Sequence, residues 1–445
     1  MRRLVVAMAV ITAATRFLAI SRAPWEWDEI LFASGVREYD VAVHHPHPPG
    51  SPLFIAAAKL FSIAGFSDFH ALQVVVVAGA MLLFPLVFLL GRELGLGDGV
   101  AAGGALVAAF APNVWYYGGT AFSDVPALAL ILGASLLLLR GRRDERAWIA
   151  GAALLGVAAG FRPQLVLIGA LPLILAAWAN RRRLVPGLAL LVAIPIASYA
   201  GAAIASSSAA AYADAVREQQ AYVARVDSFR SPTRPSLASL TRTFFKPTRG
   251  GGVVDKIIPL LAAAGVVLAL FRRRAGALLL LAMFGPLAVF SWLMLDLNAA
   301  SRYTVAYVPM FGLLAALAID GLVRGREWLT VTVCGAIALW FAFLAWQPLQ
   351  RVRTEDPPLL QAIRSIEPDR VVYAVPGVLP FAAYYREGRG VVDLSDRPAE
   401  GNGDLLLDAL SSSPCARNFI RERGRLADIA RARYFEASAV PVACP

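Results

Sequence analysis

Long apolar runs dominate this sequence and restrict the folds open to it. Eleven runs approach or reach the length of about 20 residues that a helix needs to cross a bilayer. Only 16% of the 445 residues are charged, against roughly a quarter in water-soluble proteins. We therefore predict a mostly α-helical, polytopic membrane protein with about 11 transmembrane helices. The runs are residues 4–20, 70–91, 100–117, 123–139, 147–160, 163–179, 185–204, 256–271, 276–294, 303–323 and 328–346.

The basic residues fall mainly in short turns between alternate runs. The net charge is +11, and Arg far outnumbers Lys. With the N-terminus inside, the clusters at 140–146, 181–183, 272–274 and 324–326 all lie on the cytoplasmic side, as the positive-inside rule requires. The charge thus indicates topology, and we expect no nucleic-acid partner. Met1–Arg3 with the first run is expected to be a retained helix, not a cleaved signal peptide.

This orientation puts three larger segments outside: residues 21–69, 205–255 and 350–445. We predict a transmembrane domain over 1–349 and an extracytoplasmic α/β domain over 350–445. Residues 51–64 are apolar as well, but counting them as a span would move every later Arg cluster outside. They are therefore predicted to form an amphipathic helix on the outer surface.

The tail from residue 350 has the pattern of a small folded domain. Residues 370–375 and 390–394 are typical of buried strands, and a helix-like stretch at 380–386 separates them. Two further helices and a third strand are predicted at 404–410, 415–425 and 433–437.

The three cysteines fit this placement. Cys334 lies in a membrane run and is interpreted as a small apolar packing residue. Cys415 and Cys444 both fall in the outside domain, where oxidising conditions permit a disulfide. The alternative is two free thiols.

The segment from Trp25 to Gly50 concentrates ionisable groups directly after the first apolar run. Asp28 and Glu29 are adjacent, and neighbours on a helix point about 100° apart. One carboxylate can therefore face a reaction while the other braces the loop. A carboxylate at a membrane edge suits a general base that takes a proton from an acceptor hydroxyl.

Three of the four histidines lie in the same segment, at 44, 45 and 47. His45 and His47 flank Pro46, and nearby carboxylates could complete a divalent metal site. The spacing matches no standard helix-borne metal motif. The alternative is that His47 contacts a phosphate, by a hydrogen bond or by charge, with His45 at the edge of that site.

Positive residues in outside turns oppose the positive-inside rule, so their presence there requires a structural or functional explanation. Arg162, Arg302 and Lys59 are such residues, and together they would form a cationic pocket that suits a phosphate. The alternative is snorkelling to lipid headgroups. Asp124, in another outside turn, either caps the helix that follows, with Pro126 just inside it, or contributes to the site.

Several short motifs resemble the GT-C glycosyltransferase superfamily. Asp28-Glu29 follows the first helix, and His47-Pro-Pro-Gly50 opens a surface helix, as in the protein O-mannosyltransferases and the bacterial lipid A aminoarabinose transferases. The resemblance covers roughly residues 1–345. Three further stretches resemble family turns: Leu90–Gly95, Ser123–Pro126, and Arg302-Tyr303 followed by Pro309.

The resemblance implies an inverting transfer of a hexosyl or pentosyl group from a polyprenyl-phosphate donor. The acceptor would be a hydroxyl, amine or phosphate of an envelope glycolipid, glycan or protein at the outer face of a bacterial cytoplasmic membrane. Asp28 aligns with the family's catalytic carboxylate. Arg302 and Tyr303 align with the Arg-Tyr pair of a helix late in the family's sequence, and both are expected to bind the donor phosphate. Arg162 occupies the place of a Lys that is common in the family. His47 occupies the place of a Lys that contacts the lipid phosphate in the aminoarabinose transferases. No cofactor is implied beyond a possible divalent metal.

Two other function classes were weighed. A lipid-linked substrate transporter would place ionisable residues near the bilayer midplane on broken, repeated helices. Here they cluster at helix ends, and no internal repeat is visible. A non-catalytic lipid-phosphate-binding partner would not need the carboxylate pair at the motif position.

Overall fold

The computed structural model describes residues 2–232, 234–294, 299–399, 401–408, 419–422, 424–430 and 436–442. Most of them are helical, and each of the eleven apolar runs lies in helix. The helices are α1 Arg2–Thr15, α2 Trp27–Arg37, α3 Pro52–Ile63, α4 Asp68–Glu93, α5 Asp98–Phe110, α6 Pro112–Tyr117, α7 Asp124–Gly141, α8 Glu145–Phe161, α9 Val166–Ala179, α10 Leu184–Ala205, α11 Ala209–Val226, α12 Leu237–Phe244, α13 Val254–Phe271, α14 Ala275–Met294, α15 Ala300–Thr304, α16 Val308–Leu322, α17 Glu327–Thr354, α18 Pro358–Arg364, α19 Leu379–Tyr385 and α20 Leu426–Ile429.

Within this described part, seven helical stretches are long and apolar enough to cross a membrane. They contain α4, α7, α10, α13, α14, α16 and α17. The other predicted spans are shorter helices, such as α5, whose run is broken at Pro112 where α6 begins. The helical membrane fold is confirmed, with fewer full-length spans than the eleven predicted runs.

The exterior of the bundle is apolar. On α10 only Gly187 and Ala202 are buried, while Val185, Ile196 and Ile204 are among the most exposed side chains of the protein. Exposed apolar surface on this scale marks contact with another apolar medium. Lipid is the medium that fits a helix of this length.

The interior is packed closely around α7. This helix lies against α4, α8 and α9, and most of its residues are buried. Gly79 on α4 allows a close approach to this helix: a Cβ there would lie 2.6 Å from Cα of Pro126, in the first turn of α7. Small residues at such crossings let two membrane helices touch through their backbones.

The C-terminal region contains the predicted α/β unit. Its five-stranded sheet has the order β2-β1-β3-β5-β4; β1 pairs in parallel with β2 and β3, and β5 pairs antiparallel with β3 and β4. Helix α19 connects β1 to β2. The boundary at residue 349/350 stays a prediction, and α17 continues through it to Thr354. The strands are β1 Val372–Ala374, β2 Val391–Asp393, β3 Asp404–Asp408, β4 Ile420–Arg421 and β5 Glu436–Pro441.

Two helix predictions in this unit were wrong. Residues 404–408 form the central strand β3 instead of a helix, because pairing with β1 and β5 overrides the helix propensity of a Leu-rich run. Ile420–Arg421, predicted as helix within 415–425, pairs with β5. The third strand predicted at 433–437 corresponds to β5, which begins at Glu436. Cys415 and Cys444 lie outside the described residues.

The α/β unit packs directly on α2. Ile30 is fully buried in one hydrophobic cluster with Leu359, Ile363 and Phe381 of that unit. Near the other end of α2, the Arg37 guanidinium carbon lies 4.9 Å from the centre of the Tyr384 ring. One face of α2 is therefore part of the core of the C-terminal unit.

Candidate active site

Helix α2 begins in a loop whose backbone is held by a buried carboxyl group. Oε2 of Glu29 accepts hydrogen bonds from the backbone N–H of Trp25 (2.8 Å) and Glu26 (3.0 Å), and Oε1 accepts one from Ala121 (3.0 Å). Glu26 and Glu29 together form a capping box at the start of α2. Glu29 is fully buried, so the structure gives it the geometry of the predicted brace.

Burial also changes the protonation of this group. It raises the pKa of Glu29 to about 8, and the nearby Glu26 adds to the rise against the three backbone donors. Both oxygens of Glu29 are occupied by the protein backbone.

A second connection fixes the same loop to the turn before α7. The Gln73 amide on α4 donates to the carbonyl of Ser21 (2.9 Å) and to that of Gly119 (2.8 Å). Oε1 of Glu26 accepts from the Tyr117 hydroxyl at 3.0 Å. The start of α2 and the start of α7 are thereby held together.

Asp28, one residue before Glu29, is ion-paired with Arg302. Arg302 lies on α15, remote in sequence, and its guanidinium also stands over the rings of Phe122 and Tyr303, 4.7 and 5.2 Å away. The Arg302 side chain is almost entirely buried, while Asp28 keeps about a fifth of its side chain exposed. The carboxylate predicted to do chemistry is therefore the accessible one of the adjacent pair.

Asp124 joins the two predicted arginines. Its Oδ2 lies 3.1 Å from Nη1 of Arg162 and 3.8 Å from Nε of Arg302. Asp124 is the first residue of α7, and the N-cap position belongs to Ser123. The carboxylate thus pairs with arginines, in contrast to the capping alternative. Arg162 connects α8 to the short 3₁₀ turn before α9 and lies over the Tyr303 ring at 5.5 Å.

Asp124, Arg162 and Arg302 border a cavity of about 270 Å³, and Asp28, which pairs with Arg302, is not part of its lining. Its cationic wall consists of Arg162 and Arg302, and His47, Pro48 and Pro49 form an adjoining edge. Leu287, Phe290 and Met294 of α14 supply an apolar side. Tyr303, Ser291, Gln164, Gln219 and Asp227 also line it.

His47 faces this cavity mainly as a neutral group. Burial lowers the pKa of His47; Arg302 and Arg162 act in the same direction, and Asp28 opposes them. Its ring packs edge-on to Phe32, 5.5 Å between centroids. A neutral imidazole offers a hydrogen bond to a phosphate and no charge.

Besides Asp28 and Glu29, two further predicted residues are not part of the cavity lining. His45 exchanges two backbone hydrogen bonds with Asp40 (2.7 and 2.8 Å) and is not part of the lining. Lys59 lies on α3, eight residues beyond Ser51 at the cavity rim, which corresponds to about 12 Å along a helix. Among the described residues, no group of three or more His, Cys, Asp or Glu side chains is arranged to hold a metal ion.

The structure adds cavity residues that the sequence had not indicated. Gln164 lies two positions after Arg162. Because it shares a turn with a predicted site residue, the sequence could have indicated it. Gln219 and Asp227 come from α11 and the residue after it, in a segment without any recognised motif.

Comparison with known proteins gives one family-model match and several similar folds. Residues 46–200 match the family model of dolichyl-phosphate-mannose-protein mannosyltransferases. No curated protein sequence matches the chain. The fold is similar to that of ArnT from Cupriavidus metallidurans, solved with undecaprenyl phosphate bound, at a TM-score of 0.58 and 13% identity over 98% of this chain and 97% of that one.

A second solved structure shares the fold over a smaller part of its length. It is the archaeal oligosaccharyltransferase AglB from Archaeoglobus fulgidus, in complex with an inhibitory peptide and a dolichol-phosphate. Its TM-score is 0.51 at 12% identity, over 88% of this chain and 64% of that one. The whole chain therefore has an ArnT-like GT-C fold, and residues 46–200 carry the similarity to the mannosyltransferase family model.

Proposed function

We propose that the protein transfers a sugar, with inversion, from a polyprenyl-phosphate donor to an acceptor hydroxyl at the extracytoplasmic face of the membrane. The observation that carries this proposal is the chain of ion pairs Asp28–Arg302–Asp124–Arg162, whose last three members line the cavity and whose first is joined to it through Arg302. It sets a partly exposed carboxylate beside two buried guanidinium groups. That combination serves both ends of a glycosyl transfer, the acceptor proton and the leaving phosphate.

In the proposed step, Asp28 takes the proton of the acceptor hydroxyl as general base. The acceptor oxygen forms a bond to the anomeric carbon on the side opposite the phosphate. The bond from that carbon to the phosphate oxygen breaks, and its electron pair leaves with the polyprenyl phosphate. Arg162 and Arg302 stabilise the negative charge that develops there, while neutral His47 donates a hydrogen bond.

The apolar side of the cavity supports a lipid donor. Leu287, Phe290 and Met294 suit the first isoprene units next to the phosphate. The volume of about 270 Å³ is near the lower end of the roughly 300–1,000 Å³ usual for ligand pockets, which suits one sugar ring. The ArnT and AglB structures hold polyprenyl-type phosphates, undecaprenyl phosphate in the first and dolichol-phosphate in the second.

The distribution of arginines supports the orientation. Helix α7 begins at the cavity with Asp124 and ends beside Arg140, Arg142 and Arg143, about 27 Å away for 18 helical residues. By the positive-inside rule that basic end is cytoplasmic, so the cavity is outside. We infer a bacterial cytoplasmic membrane location and an envelope glycolipid, glycan or protein as acceptor.

The test measures polyprenyl phosphate released from synthetic polyprenyl-phosphate sugars by the full-length protein in lipid vesicles containing envelope extract. Asp28→Asn should reduce the rate by about 10²- to 10⁴-fold, the usual contribution of a general base. Asp214→Asn, an exposed carboxylate on α11, is the matched control and should act like the wild type. Full activity of Asp28→Asn would overturn the assignment.

A further inference from the structure

Two glutamine side chains at the cavity lack protein partners. Gln164, in the 3₁₀ turn after Arg162, and Gln219, on α11, both line the cavity. Neither amide makes a hydrogen bond within the part of the chain that the structure describes. A half-buried amide without a partner gains from a polar ligand, since it offers both donors and an acceptor.

The position of Gln219 is fixed by contacts elsewhere on its helix. The Tyr212 hydroxyl donates to the carbonyl of Pro49 at 3.1 Å, which holds α11 against the loop that carries His47. Gln219 and Val223, four residues apart, share the helix face that borders the cavity, and Gln220 is not part of the lining. Gln219 therefore lies on the cavity side of a helix that is hydrogen-bonded to the loop carrying His47.

Both arginines of the cavity are already paired with carboxylates before any ligand enters. Arg302 is paired with Asp28 and Asp124, and Arg162 with Asp124. Asp227 adds a further carboxylate to the lining. One phosphodiester charge can be accommodated by the two guanidinium groups, but a second anionic group would meet carboxylates.

We propose that Gln164 and Gln219 bind the hydroxyl groups of the donor sugar, and that this sugar carries no anionic group. The inference rests on the proposed function and extends it, because it distinguishes the arginines that bind the phosphate from the amides that bind the sugar. It assigns specificity to a helix that has no recognised motif.

The test compares binding of three probes to the full-length protein in nanodiscs: farnesyl phosphate, farnesyl-phosphate hexoses (mannose, glucose and galactose), and farnesyl-phosphate glucuronic acid. The variants are Gln164→Ala and Gln219→Ala, with Gln220→Ala as the matched control on the same helix. Each cavity variant should weaken binding of the preferred hexose donor by about 3- to 10-fold, the range for one or two neutral hydrogen bonds. Farnesyl phosphate itself should bind all variants equally.

The outcomes separate this inference from the proposed function. If the wild type binds none of the farnesyl phosphates, the proposed function fails and the inference fails with it. If the wild type binds them but Gln164→Ala and Gln219→Ala behave like Gln220→Ala, or weaken farnesyl phosphate equally, only the inference fails. Tighter binding of the glucuronic acid donor than of every hexose donor would contradict the proposal that the donor sugar carries no anionic group.

Discussion

Asp124 Oδ2 lies 3.1 Å from Nη1 of Arg162, and each side chain is exposed over less than a tenth of its surface. The same oxygen lies 3.8 Å from Nε of Arg302. One carboxylate therefore sets the spacing of both cations at the cavity. Without it, Arg162 would lose its carboxylate partner in a region of low dielectric, while Arg302 would keep Asp28.

Replacement of Asp124 by Asn should destabilise the ligand-free protein. Removing one partner of a buried pair costs about 3–5 kcal/mol, since the remaining charge loses its compensation. A bound phosphate supplies a negative charge again, so undecaprenyl phosphate should raise the unfolding temperature of Asp124→Asn by more than that of the wild type. Differential scanning fluorimetry in detergent measures both effects. Equal unfolding temperatures for Asp124→Asn and the exposed control Asp214→Asn would contradict the argument.

The close crossing at Gly79 supports the turn that carries Asp124. An added methyl group would meet Cα of Pro126 at 2.6 Å, so Gly79→Ala must displace the first turn of α7. Such displacement of site residues should lower the transfer rate by about 10- to 100-fold. Gly335→Ala on α17 is the matched control, because its Cβ meets nothing within 4 Å. The control should be neutral or slightly stabilising, and similar kinetics for the two variants would rule out this role for Gly79.

Glu29 should make stability depend on pH. Its pKa is raised from 4.5 to about 8 in the folded protein, so folding favours the protonated form. That contribution is complete below pH 4.5 and is lost as the pH rises to about 8. The unfolding temperature of Glu29→Gln, measured relative to the wild type, should therefore rise over this interval. A constant difference between the two proteins would show that Glu29 does not titrate there.

The packing of α2 on the C-terminal unit predicts an effect of Ile30 on catalysis. Ile30→Ala should cost about 2–5 kcal/mol of stability and leave the helix that carries Asp28 less firmly held. We expect a lower kcat with little change in the donor KM. Ile363→Ala makes a cavity in the same cluster from the side of α18 and serves as the control. If both variants lose stability and kcat equally, Ile30 acts only through overall folding.

The sequence predicted the helical fold because run length and Arg placement are local signals. It pointed to Arg162 and Arg302 for the same reason, since each breaks a charge rule within its own turn. It did not reveal that Asp124 lies between them, because no local sequence signal indicates that the starts of α7 and α15 meet in the fold. The strand β3 was missed because a Leu-rich run becomes a strand only through neighbours far away in sequence. The contribution of α11 to the cavity was missed because no sequence pattern marks amide side chains that lack hydrogen-bond partners.

Ile30 belongs at once to the helix of the proposed catalytic base and to the core of the C-terminal unit. Engineers who retarget an enzyme often exchange its tail for that of a relative. In this protein such a graft would replace the surface on which α2 rests, so a chimera with the correct acceptor preference could still be inactive. A successful exchange must transfer α2 together with the C-terminal unit from the same relative.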